Sequence, residues 1–141
     1  MRCEELMKRQ VECLRPESTV QEAARVMRDK GIGFLPVCDT ERRILGTITD
    51  RDIVIRWAVE PGAEASAPVE RFMTREVISC HADDDVETCE ELMSSHKKSR
   101  LMIVDDDQRL IGVISLSDVA QAQGARKVGK TLRQVTTREA G

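Results

Sequence analysis

Gly46-Thr47-Ile48-Thr49-Asp50-Arg51-Asp52 returns 66 positions later as Gly112-Val113-Ile114-Ser115-Leu116-Ser117-Asp118. Both stretches run glycine, two apolar or small residues of strand character, a hydroxyl, two variable residues and then aspartate. Outward from them the same offset holds without a gap, so that residues 4–54 lie on 70–120. Identities fall at Glu4/Glu70, Met7/Met73, Val11/Val77, Val20/Val86, Met27/Met93, Leu35/Leu101, Asp39/Asp105, Gly46/Gly112, Ile48/Ile114 and Asp52/Asp118. A gapless repeat of this length is one structural unit used twice, and two such units can bury apolar faces that neither could bury alone. Any site built on one copy is expected to have a related site on the other.

Each copy reads strand, helix, strand, strand, helix. In the first, Val20, Ala23, Ala24 and Met27 recur at the i, i+3, i+4, i+7 spacing of an amphipathic helix, with Ser18 or Thr19 as its cap and Gly31 and Gly33 at its end. Phe34–Cys38 and Ile44–Ile48 are the arms of a hairpin joined by the polar turn Asp39–Arg43, and a second helix begins near Asp50 carrying Ile53, Val54 and Trp57. In the second copy Val86, Cys89 and Met93 mark the first helix, and Leu101–Val104 and Leu110–Ile114 the hairpin. The reading is an α+β chain. Repeat one spans about 3–56, a small-residue linker about 57–68, repeat two about 69–121, making one domain over 1–121. A basic tail follows over 122–141, in which Arg126, Lys127, Lys130, Arg133 and Arg138 face the single acid Glu139. It reads as a fraying basic helix or a mobile tail, a solvated terminus being the plainer expectation and a docking arm for an acidic partner the sharper one.

At the hairpin exits the glycine permits close approach of a ligand or another backbone to the strand. Thr49 and Ser115 stand where strand turns to helix, and Asp52 and Asp118 follow in the first turn. Such a hydroxyl three residues before an acid resembles a capping box, and an acid there also suits the helix dipole. A helix start offers N–H groups to an anion as well, and the carboxylate has two oxygens, so capping and ligand binding are compatible.

The bulk properties remove several classes of function. The net charge of −3 provides no dominant basic field, and aromatic residues make up only 2% of the chain, which argues against a nucleic-acid partner. Apolar runs fall short of the ~20 residues of a membrane span, and acidic Glu4 and Glu5 occupy the place of a leader's apolar core; a cytoplasmic protein is expected. Five cysteines without CxxC spacing suggest reduced thiols, not a disulfide framework or a metal site. His81 and His96 have no nucleophile and orienting acid in a recognisable arrangement, so no catalytic residue and no enzyme activity are expected.

The whole pattern resembles the CBS-domain pair, or Bateman module, over about residues 3–121. It is carried by Met7, Val11, Pro16–Ala23, Met27, Leu35–Asp39 and Gly46–Ile53. That resemblance implies a stand-alone bacterial-type CBS protein whose two motifs pack sheet to sheet about a pseudo-twofold axis, leaving clefts at the seam for adenosine nucleotides. It assigns Thr49, Asp52, Ser115 and Asp118 to the ribose, and Val11, Gly33, Phe34, Pro36, Val77, Ser99 and Met102 to the base. Lys97–Leu101 with Ser115–Asp118 is similar to the last repeat of the regulatory gamma subunit of AMP-activated protein kinase, which makes Arg100 a phosphate candidate, together with Arg51, Lys98 and Ser117. The implied function is non-catalytic and regulatory: an adenine nucleotide (AMP, ADP or ATP, with S-adenosylmethionine ranked behind them) is sensed and signalled to a regulated partner, without a required cofactor. A homodimer through the CBS helices is implied too. The alternative is a ligand-free dimerisation or docking scaffold. Because Pro16, Phe34, Pro36 and Arg51 become Ala82, Arg100, Met102 and Ser117, the two sites are expected to bind unequally.

Overall fold

The computed structural model describes residues 1–122 and 125–136, with the side chains of 125–128 excepted. In chain order the elements are α1 (Cys3–Leu6), α2 (Val20–Lys30), β1 (Phe34–Cys38), β2 (Ile44–Thr49) and α3 (Asp50–Asp52). A π-helical turn (Ile53–Trp57) and a 3₁₀ turn (Val69–Arg71) follow, then β3 (Ser79–His81), α4 (Val86–His96), β4 (Arg100–Val104), β5 (Leu110–Ser115), α5 (Leu116–Ala122) and α6 (Ala125–Thr136). The chain forms two compact units. One is Glu12–Val77; the other joins Met1–Val11 to the chain from Ile78 onward.

In the unit Glu12–Val77, the antiparallel hairpin β1–β2 pairs Phe34 with Thr49 and Pro36 with Thr47. Thr19 caps α2 by accepting the Glu22 N–H at 3.0 Å, and Gly31 ends it in the left-handed region at φ 64°. The buried face of α2 (Val20, Ala23, Met27) meets Leu14, Leu35, Val37, Ile48, Val69, Phe72 and Met73. The segment read as a plain linker is partly built into this unit: Val20 N–H reaches Ala67 O at 2.9 Å, and Ala67 is buried.

The predicted leading strand shrinks here to one parallel bridge, Leu14 to Val37. Its counterpart β3 pairs three residues with β4, beginning at Ser79–Met102. The equivalent of Met102 is Pro36, which has no N–H to donate, so the ladder cannot start one residue earlier. The second helix also differs from expectation. It leaves the α register after Asp52, and the Ala58 N–H bonds Ile53 O at 2.9 Å, an i to i+5 turn. Three successive β-branched residues, Ile53, Val54 and Ile55, crowd a tighter winding, and Val54 and Ile55 are left exposed.

The other unit repeats the plan with α4, β3, β4 and β5 around Cys80, Val86, Cys89, Met93, Leu101, Ile103, Ile114 and Val119. Lys97 ends α4 at φ 55°, in the role that Gly31 plays for α2. The solvated-tail expectation is corrected over 125–136. These residues form α6, whose Thr131 and Val135 are buried, and the Lys97 ammonium donates to Gln134 O at 3.1 Å. Gly124, Arg138 and Glu139 lie outside the described residues, as do the side chains of Arg126 and Lys127. Among the described residues no helix is long and apolar enough to cross a membrane.

Each unit is completed by the short segment that opens the other repeat in sequence. Thr74 exchanges both backbone hydrogen bonds with Thr47 on β2, at 2.8 and 2.9 Å. Lys8 does the same with Val113 on β5, at 2.9 and 3.0 Å. The hairpin-exit glycines exist for this crossing. A Cβ on Gly46 would stand 2.6 Å from Thr74 O, and one on Gly112 would stand 2.6 Å from the Met7 sulfur. Close approach is thus made by a backbone carbonyl at Gly46 and by a side chain at Gly112.

Candidate functional site

Both predicted hydroxyl–aspartate pairs fold as reciprocal caps. Thr49 Oγ1 accepts the Asp52 N–H at 3.0 Å while Asp52 Oδ2 accepts the Thr49 N–H at 3.0 Å. Ser115 and Asp118 copy this at 3.1 and 2.9 Å. The two aspartates are only 5% and 8% exposed. A carboxylate this enclosed needs partners for both oxygens, and each Oδ1 has them. Thr74 Oγ1 lies 3.4 Å and Arg56 Nε 3.6 Å from Asp52 Oδ1. Lys8 Nζ lies 3.6 Å from Asp118 Oδ1. Lys8 and Thr74 are equivalent positions of the repeat, and both sit on the crossing segments.

Hairpin register brings further candidates to the same ends. Phe34 pairs with Thr49, and Arg100 with Ser115. The Asp50 N–H bonds Gly33 O at 3.0 Å, and the Leu116 N–H bonds Ser99 O at 2.8 Å. Thus Gly33, Phe34, Thr49, Arg51 and Asp52 gather in one unit, and Ser99, Arg100, Ser115, Ser117 and Asp118 in the other. Lys98, Ser99, Arg100, Arg51 and Ser117 are exposed; Val11, Gly33, Phe34 and Val77 are half-buried. Pro36 and Met102 are buried, behind these ends. Val77 belongs to the unit of Phe34 and Thr49, and Val11 to that of Arg100 and Ser115.

The polar surroundings differ between the ends. Ser117 Oγ lies 2.8 Å from Ser115 Oγ, so one hydroxyl can donate to the other and leave a second free to face a ligand. At the other end Asp50 covers Gly33 closely: a Cβ there would stand 2.5 Å from Asp50 Oδ2. Asp84, in the acidic run Asp83–Asp85, turns its carboxylate onto the His81 N–H at 2.8 Å.

Lys8, Thr74 and Arg56 are the residues the sequence reading missed. Arg56 carried a local signal, since it stands four residues after Asp52 on a helix, the spacing of an ion pair. Lys8 and Thr74 carried none, because they approach the aspartates only through the crossing of chain segments.

The CBS domain family profile matches residues 3–58 and 69–125. The "CBS domain-containing protein YhcV" of Bacillus subtilis (strain 168) is 36% identical over 118 residues, covering 83% of this chain and 81% of that protein. Inosine-5'-monophosphate dehydrogenase of Methanocaldococcus jannaschii is 37% identical over 118 residues, which are 84% of this chain but 23% of the enzyme. The crystal structure of the CBS domain pair of protein MJ0100, in complex with 5'-methylthioadenosine and S-adenosyl-L-methionine, superposes with a TM-score of 0.74 at 25% identity. It covers 86% of this chain and 94% of that one. With both repeats matched and the α+β plan shared, this chain belongs to the CBS domain family as a tandem pair.

Proposed function

We propose that this chain is a non-catalytic regulatory module that binds an adenosine-containing ligand at its two hydroxyl–aspartate helix starts. One observation carries the reading: the same enclosed carboxylate, capped by the same hydroxyl, occurs twice in register, each beside a cation. A ribose diol can replace the neighbour on Oδ1 while Oδ2 keeps the cap. Phe34 and Gly33 with Val77, or Ser99 with Val11, then provide the face for the base, with Pro36 and Met102 behind. Arg51 in one unit, and Arg100, Lys98 and Ser117 in the other, would take the phosphates. Support comes from the MJ0100 pair, whose crystal structure holds two adenosine compounds. Binding acts as a signal to a regulated partner when the ligand favours one arrangement of the protein over another. The exposed apolar residues Val54, Ile55 and Val59 suit a homodimer contact through the helices.

Calorimetric titration with AMP, ADP, ATP and S-adenosylmethionine tests the reading. At least one is expected to bind, and Asp52→Ala or Asp118→Ala to weaken it by about 1–3 kcal/mol, the cost of a lost buried hydrogen bond. Arg100→Ala should weaken the nucleotides and spare S-adenosylmethionine. No heat from any of the four at millimolar concentration sinks the proposal.

A ligand-free scaffold is the second reading, favoured by the partners that each Oδ1 already has. In that case the aspartate variants leave dimerisation unchanged and nothing binds.

A further inference from the structure

Three of the five cysteines converge on one point of the unit that contains Met1–Val11 and the chain from Ile78. Cys3 comes from α1, Cys80 from β3 and Cys89 from α4, and their sulfurs all lie within 4.8 Å of one another. None is more than 1% exposed. The repeat contains its own control. Moving each by 66 positions gives Val69, Leu14 and Ala23, all members of the other unit's core. Hydrocarbon therefore suffices to fill this layer of the fold. Cysteine can serve as a small hydrophobe, but packing alone does not require thiols on three separate elements to meet.

We propose that Cys3, Cys80 and Cys89 form a three-thiolate site for a thiophilic d10 cation, Zn²⁺ or Cu⁺. Thiolates are the ligands that select these ions. Tetrahedral zinc–sulfur bonds of about 2.3 Å set sulfurs roughly 3.8 Å apart, so the trio has to close by about 1 Å at most. Three thiolates around a dication leave one net negative charge, and around a monocation two. In a water-excluded layer the smaller residual charge costs less, which favours zinc. The carbonyl oxygen of Asp85, 3.8 Å from Cys3 Sγ, flanks the group on one side. Binding displaces the thiol protons into solvent, so uptake strengthens as pH rises. Because Cys3 lies on α1, the ion would also fasten the amino-terminal segment to the unit it completes.

The test uses the full chain, purified in reductant and offered Zn²⁺ or, in a separate arm, Cu⁺, with metal counted by elemental analysis. Co²⁺ provides a thiolate-to-metal charge-transfer band. About one ion per chain is expected from three ligands at a single point. The variant C3V/C80L/C89A places the other unit's own residues at all three positions and should take up none, whereas C13A/C38A should bind as the wild type does. Should the triple variant fail to fold by circular dichroism, Cys89→Ala alone should lower affinity by at least about 100-fold, since it removes a direct ligand. Binding of Cu⁺ but not Zn²⁺ supports the site and overturns the preference for a dication. A wild type that takes up neither ion at micromolar concentration overturns the proposal, as does a folded variant that loses a ligand and binds undiminished.

Discussion

The two units share their hairpins and turns down to single hydrogen bonds and differ mostly in the elements around them and in what fills the core. In both hairpin turns an aspartate accepts the N–H groups two and four residues on: Asp39 from Glu41 and Arg43 at 2.8 and 2.9 Å, Asp105 from Asp107 and Arg109 at 2.9 Å each. Arg42 and Gln108, 66 apart, share φ 65°. Against this constancy, one sheet loses a strand at Pro36 and one core layer is hydrocarbon where the other is thiol. The buried aspartate meets Arg56 from its own helix in one unit and Lys8 from a distant segment in the other. Backbone pairing admits few substitutes, because an unpaired buried N–H or C=O is costly. Side chains of similar volume exchange at little cost.

The hairpin-exit glycines break the symmetry most sharply. A methyl on Gly46 meets a backbone carbonyl, whereas on Gly112 its nearest neighbours are the sulfur and stem of Met7. Overpacking costs about 1–3 kcal/mol, toward the upper end where the obstacle cannot move. Urea unfolding should therefore find Gly46→Ala close to 3 kcal/mol destabilised and Gly112→Ala nearer 1 kcal/mol. Equal losses would mean that the Met7 side chain is as fixed as the carbonyl.

Met102→Pro imposes on β4 what Pro36 imposes on β1. It should cost about 2 kcal/mol through a lost ladder bond and the unsatisfied carbonyl it leaves. Faster amide exchange around Cys80 would report the loss, and unchanged exchange would show that β3 is held by other means.

Thr19 caps α2 with its side chain, while Asp85 makes no such bond at the start of α4. Thr19→Ala should cost about 1 kcal/mol and Asp85→Ala clearly less. Thermal unfolding of the pair decides it, and a reversed order would show that the charge of Asp85 outweighs its missing bond.

The last difference is a pH dependence, confined to alkaline solution. Burial pushes the Cys38 thiol up to about 12 from an ordinary 9.0, assisted by the neighbouring Cys13. The folded value exceeds the unfolded one, so the contribution to stability is fully present below about pH 9 and is lost as pH rises toward 12. Cys38→Val introduces the residue type of the equivalent Val104 and should flatten that slope. A slope that persists belongs to the other raised thiols: Cys80, held up to about 12 by its hydrogen bond to Cys3, and Cys89, raised by bonds to the same sulfurs.

The helices, hairpins and reciprocal caps could be read along the chain because each is encoded within a few residues: the α2 periodicity, the Asp39 turn, the Thr49–Asp52 spacing. Features formed by distant segments left no such trace. The crossing segments end in Met7 and Met73, so either could satisfy either hairpin on apolar pattern alone. Cys3, Cys80 and Cys89 are too far apart in sequence for spacing to show that they meet. In α6 the sequence shows a fraying basic helix or a mobile tail, but not that the helix docks. Thr131 and Val135, one helical turn apart, are buried, but the density of Lys and Arg around them points to a solvated tail. A charged helix keeps its cations outward while a narrow apolar stripe docks.

Crossing segments change where the chain can be divided. A cut in the small-residue stretch before Val69, natural from the repeat, would strip each hairpin of its outer neighbour and bare the edges of β2 and β5 to pairing with other molecules. The compact unit that keeps its crossing segment is instead Glu12–Val77. Proteolysis, tagging or truncation ahead of Val11 would be felt at Asp118 and α4, far along the sequence, before it was felt by the repeat next door.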